Sequence, residues 1–111
     1  MTNRKLLREW IAWLNRRWPT RLPVRVMLCA PTGSLTDSVG MSFAAMEDGH
    51  VTSVTIKIRN NLTVDQTMQT LWHEWAHVLR WHISGGTWCE ERDSIFGAIK
   101  HEIETSWLLE D

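Results

Sequence analysis

His73-Glu74-Trp75-Ala76-His77 places two imidazoles four residues apart, with a carboxylate beside the first. On a helix, at about 100° per residue, the two histidines lie about 40° apart on one face, one turn apart along the axis. Imidazoles so placed can hold one Zn²⁺. Being neutral, they leave most of the ion's charge in place, and water on such an ion has its pKa lowered towards about 7. Glu74 projects from a neighbouring azimuth and can reach that water without being a ligand. It can take the water's proton and pass it to a leaving amine, which is the core of metal-assisted peptide hydrolysis. The competing reading is a helix with two surface histidines, because the pattern fixes only three positions.

The chemistry requires a helix with a buried side, and the flanking residues supply one. Thr63-Val64-Asp65-Gln66 reads as a capping box, with Thr63 as N-cap and Gln66 at the third helical position. Met68, Leu71, Trp72, Trp75, Val78 and Leu79 then recur at i, i+3, i+4 and i+7 spacing, an apolar stripe centred near Trp75. His73, Glu74 and His77 lie off that stripe, on the flank and the opposite side. A solvated helix would carry Lys, Glu or Gln there, so the context favours the metal reading.

A catalytic zinc needs three protein ligands and one open position. His82 is a poor third: on a continuous helix it lies near Trp75 and Leu79 on the core stripe, and it reads as a capping or core-edge histidine. Gly85-Gly86 ends the helix. A second helix starts near Cys89, with Ile95, Ala98, Ile99, Ile103 and Trp107 as its main apolar stripe and Phe96 beside it. Glu91 stands at the edge of that inward face, whereas Glu90 points further out or turns in from the loop. Periodicity therefore favours Glu91. For either acid the plain alternative is a solvated first-turn carboxylate facing the helix dipole. Cys89 sits beside these candidates and reads as a small packing residue before a thiolate ligand or switch.

The stretch from His73 to His82, followed by Phe96-Gly97 on a helix, resembles the SprT-like and phage-type small zinc peptidases. In those, a third zinc-binding His precedes an aromatic by four residues; here Arg92 stands at that place and cannot bind a metal. The segment from Glu90 to Ala98 resembles the third-ligand helix of minimal gluzincins of the ImmA/IrrE kind. There a Glu six residues before a Phe-Ala pair binds zinc, which implies Glu90. The resemblance spans about residues 63 to 99, with the His-Glu-x-x-His run its sharp part. Glu91 and Glu90 both stand as third-ligand candidates.

The 111 residues make one domain, 1–111, with eight Trp to fill its core. A net charge of −1 gives no whole-chain attraction to a polyanion. The distribution is uneven: Arg4, Lys5, Arg8, Arg16, Arg17, Arg21 and Arg25 are opposed only by Glu9 before Asp37, and acids gather from Glu90 onward. Cys29 and Cys89 read as two reduced thiols. Neither a signal peptide nor a membrane span of about 20 apolar residues is visible. The expected setting is therefore cytoplasmic; the resemblance implies a bacterium or a phage-infected host cell.

Leu6, Leu7, Trp10, Ile11 and Leu14 define a first amphipathic helix ending before Pro19. Its basic face, with Trp13 and Trp18, reads as a solvated surface over core tryptophans; contact with nucleic acid or a membrane surface is the alternative. Val24 to Leu28 and Val39 to Met46 read as strands. Val51 to Arg59 alternates and pairs with the preceding strand as a hairpin across the turn Glu47-Asp48-Gly49-His50. The expectation is an α+β, zincin-like fold: N-terminal helix, small three-stranded sheet, motif helix and C-terminal ligand-bearing helix. Resemblance further implies that an edge strand beside the motif helix binds an extended peptide, and Val51 to Arg59 is the candidate. The functional expectation is a zinc metallopeptidase with Glu74 as general base and a peptide or protein substrate. The alternative is a non-catalytic nucleic-acid or protein binding module with a structural or vestigial zinc site. The chain has no Tyr to stabilise an oxyanion, which leaves His50, His82, His101 or an Arg.

Overall fold

The computed structural model describes residues 4–83 and 94–109, apart from the side chains of 81–83. Helix α1 (Arg4–Arg17) is followed by strand β1 (Val24–Cys29), a short 3-10 turn (Gly33–Leu35), strands β2 (Gly40–Glu47) and β3 (His50–Arg59), and helices α2 (Val64–Ile83) and α3 (Ser94–Leu109). The class is α+β, as the residue pattern predicts. Among the described residues no helix is long and apolar enough to cross a membrane.

Each element follows from local chemistry. Helix α1 stops one residue short of Trp18, whose backbone is biased away from helix by Pro19. The β2–β3 hairpin turns on Asp48 (φ 50°) and Gly49 (φ 78°). A two-residue turn with both φ positive matches the twist of the strands it joins. In β3, Val54, Ile56 and Ile58 are almost fully buried on one face, while Ser53, Thr55, Lys57 and Arg59 take the other.

The sheet order is β1-β3-β2, with β1 parallel and β2 antiparallel to β3. This corrects the expectation that Val51–Arg59 is an edge strand. Strand β3 is central and hydrogen-bonded on both sides, so it has no edge to offer a peptide. Alternation reports which face of a strand is buried and is silent about its neighbours, so central and edge strands read alike. The strand with the most complete Val/Ile face took the middle. The edge strand beside α2 is β2.

The core lies between the sheet and the helices. Leu7, Trp10, Trp13 and Leu14 of α1 meet Leu71, Trp72, Trp75 and Val78 of α2, with Phe96 and Ile103 of α3 and the β3 face. Trp72 is its hub, with ring centroids 6.3 Å from Trp10, 5.4 Å from Trp13 and 5.4 Å from Trp107. Trp13 is therefore a core residue, as the plain reading of α1 holds.

Helix α3 departs from its expected stripe. Phe96 and Ile103 are buried, Ile99 and Trp107 half-buried, and Ile95 and Ala98 exposed. The inward face is centred on Phe96 and Ile103, rotated from the one that counting aliphatic residues suggests. A single aromatic ring outweighs the smaller Ile95 and Ala98 in choosing the buried side.

Candidate metal centre

Helix α2 begins with the capping box read from the sequence. The Gln66 backbone N–H donates to Thr63 Oγ1 (3.1 Å), and the Thr63 N–H donates to Gln66 Oε1 (3.0 Å). That start fixes the azimuth of every later residue. The helix then runs through the interior with both sides covered. Leu71, Trp72, Trp75 and Val78 are buried on the apolar side, and Thr70, Glu74 and His77 are buried too. Periodicity placed the motif residues off the stripe but gave no hint of this second cover, which comes from β2 and α3.

The histidine and glutamate donor atoms of His73, Glu74 and His77 all lie within 4.8 Å of one another. Tetrahedral zinc, at about 2.0–2.1 Å from nitrogen, keeps its ligand atoms about 3.3 Å apart. The three donor atoms are thus close enough for the group to hold a metal ion, and two imidazoles with a carboxylate are donor types that zinc accepts. The two rings stand 4.9 Å apart and nearly perpendicular (78°). Phe96 of α3 touches both: it lies flat on His77 (4.1 Å, 11°) and meets His73 edge-on (5.2 Å, 80°).

Glu74 is anchored from the sheet. Ser42 Oγ of β2 donates to Glu74 Oε1 at 3.0 Å. Because Glu74 is 6% exposed, such a bond is worth more than it would be in water, and it defines the carboxylate's orientation. The close approach that allows it depends on Gly40. A Cβ at Gly40 would lie 2.5 Å from Thr70 Cγ2 and 3.6 Å from Glu74 Cγ. Thr70 cannot easily yield, because its hydroxyl donates to the Gln66 carbonyl at 2.7 Å and holds its rotamer. Gly40, Ser42 and Ala44 pair with Ile58, Ile56 and Val54, so small residues occupy the β2 face that meets α2. This Gly-x-Ser-x-Ala run was the available signal for Ser42 and Gly40, and sequence reasoning missed it.

Beside Glu74 opens a cleft of about 590 Å³. Its walls are Gln69, Thr70, His73 and Glu74 of α2, residues 37–40 before and at the start of β2, and Lys100 of α3. The 37–40 wall is held by Arg59, whose guanidinium donates to the carbonyls of Leu35 (2.7 Å) and Thr36, and whose N–H donates to the Val39 carbonyl (2.9 Å). Of the oxyanion candidates, neither His50 nor His101 lines the cleft. Lys100 does, paired with Glu104 at 3.2 Å.

Glu90 and Glu91 lie outside the described residues, as do Cys89 and Arg92. The periodicity favouring Glu91 rested on Ser94, Ile95, Ala98 and Ile99 facing inward; the first three are exposed. What remains is the register counted from Phe96, the ring that packs on His77. Helix α2 is continuous through Ile83, so His82 sits about 140° around the axis from His77. Cys29 is a free thiol. No family model, curated protein or solved structure matches the chain.

Proposed function

We propose that this chain is a zinc-dependent metallopeptidase. The observation that carries the reading is a His73–Glu74–His77 set on one helix, Glu74 and His77 buried and His73 half-buried, with its carboxylate anchored by Ser42 and lying beside an open cleft. Burying a carboxylate and an imidazole is costly unless they are partnered, and a helix selected for stability alone would hold apolar residues there. His73 and His77 would hold the zinc, with Glu90 or Glu91 as third ligand. Bound zinc supplies Lewis acidity, acidifying water and polarising a carbonyl.

Glu74 is the general base. It accepts the proton of the attacking water, then delivers it to the amine nitrogen as the C–N bond breaks. Ser42 holds one carboxylate oxygen so that proton transfer involves a fixed geometry. Phe96 keeps the two imidazoles in register. Lys100 offers a positive charge to a substrate oxygen. A peptide substrate would lie extended beside β2, the edge strand next to α2, and pair with its backbone.

Hydrolysis of a mixed peptide library tests this, with wild type beside Glu74→Gln and zinc measured on both. Wild type should cleave, and Glu74→Gln should keep its zinc and lose about 10²–10⁴-fold in rate. Equal cleavage by both proteins would rule out Glu74 as base. Zinc-loaded wild type that cleaves nothing in the library would favour the binding-module reading.

A further inference from the structure

The basic N-terminal quarter has no part in the site above, and the fold gathers three of its arginines around a second depression. A groove of about 500 Å³ lies between α1 and β1. Its floor is Leu7, Ile11, Val26 and Leu28, and Arg4, Arg8 and Arg25 stand at its rim, all three exposed. None of these guanidiniums has a carboxylate partner among the described residues; the Arg8 side chain donates only to the Arg4 carbonyl. Glu9, the lone acid in this part of the sequence, does not line the groove.

The groove also exposes a strand edge. Strand β1 has β3 on one side only. The carbonyls of Pro23 and Cys29 accept from Val54 and Asn60, so these residues face β3. With a period of two, Arg25 and Met27 face β3 as well, and Val24, Val26 and Leu28 turn their N–H and C=O groups to the open side. Unpaired edges of this kind invite another strand. No Pro or inward-pointing charge lies within β1 to blunt it.

From this combination we infer that the α1–β1 groove is a docking site for an extended, acidic segment of a partner protein, which adds to the sheet at β1. Backbone pairing to Val24, Val26 and Leu28 supplies affinity, and carboxylates meeting Arg4, Arg8 and Arg25 supply polarity and choice of partner. A second copy of this chain is a worse occupant, because pairing β1 with β1 brings two sets of arginines together. A nucleic acid is worse too: its phosphates satisfy N–H groups and arginines, but they donate nothing to the three outward carbonyls and leave the apolar floor uncovered. The site is remote in sequence from the zinc motif and does not depend on the peptidase reading.

The test uses the full chain and fluorescein-labelled eight-residue peptides of alternating Val and Glu or alternating Val and Lys, with an oligothymidylate of equal charge. Fluorescence anisotropy should show binding of the Val/Glu peptide alone, with amide shifts at residues 24–28 and 4–11 in the protein's NMR spectrum. Arg8→Glu and Arg25→Glu should each weaken it about tenfold, with unchanged thermal melts because both side chains are exposed. N-methylating the peptide at every second nitrogen should abolish binding in one phase and spare it in the other, the signature of one paired edge. The inference is overturned if the Val/Glu peptide fails to bind or shifts residues elsewhere. It is equally overturned if the oligothymidylate binds in its place, if both methylated phases bind alike, or if the protein occludes the groove as a dimer.

Discussion

Two sides of α2 are buried by different means. On one, Leu71, Trp72, Trp75 and Val78 meet the tryptophans of α1 and α3. On the other, Thr70, His73, Glu74 and His77 meet Gly40 and Ser42 of β2 and the ring of Phe96. The first contact is large, apolar and tolerant in geometry, with aromatic pairs worth about 0.5–1.5 kcal/mol each beyond their burial. The second is small, polar and specific: one hydroxyl, one missing Cβ and one stacked ring set three chemical groups. The first side supplies the stability that lets the second hold groups a core would otherwise exclude.

If that division is right, substitutions on the two sides should separate stability from activity. Trp72→Ala removes the hub of the tryptophan cluster and should cost about 3–5 kcal/mol of folding stability, read from denaturant melts. At a temperature where the variant remains folded, its kcat should stay near wild type; a parallel collapse of kcat would show that the two sides are not separable. Gly40→Ala should cost about 1–3 kcal/mol through overpacking against Thr70. It should also reduce kcat, because β2 must retreat and carry Ser42 with it. An unchanged Tm and kcat would mean that the close approach is not required.

Ser42→Ala is the smallest perturbation and the sharpest contrast with Trp72→Ala. It should lower kcat about tenfold with zinc content unchanged, while stability moves by about 1 kcal/mol or less. Rescue by Ser42→Thr, which restores a hydroxyl, would distinguish orientation of Glu74 from general loosening. A Ser42→Ala variant with full kcat would remove β2 from the catalytic account.

The same contrast explains what the residue order revealed. The apolar side of α2 was legible in its 3.6-residue period, the start of α2 in Thr63 and Gln66, and the hairpin in the turn from Glu47 to His50, because each is a local signal. The clustering of His73, Glu74 and His77 on one helix was legible from type and spacing. The partners that give them shape were not. Ser42 is 32 residues from Glu74 in sequence, and Phe96 reaches His77 from another helix. Such pairings depend on strand order and helix rotation, which periodicity leaves open. The central position of β3 and the rotation of α3 onto Phe96 were hidden for the same reason. The small residues Gly40, Ser42 and Ala44 at alternate positions were the one local trace of a helix lying close.

The most direct measurement is zinc stoichiometry by elemental analysis on protein purified without added metal, for wild type beside His77→Ala, Glu74→Gln, Glu90→Ala and Glu91→Ala. The account predicts one zinc per wild-type chain, retained in Glu74→Gln and lost in His77→Ala and in one of the Glu90 and Glu91 variants. A folded wild type that takes up no zinc, or a His77→Ala protein that keeps it, would contradict the metal centre and the function built on it.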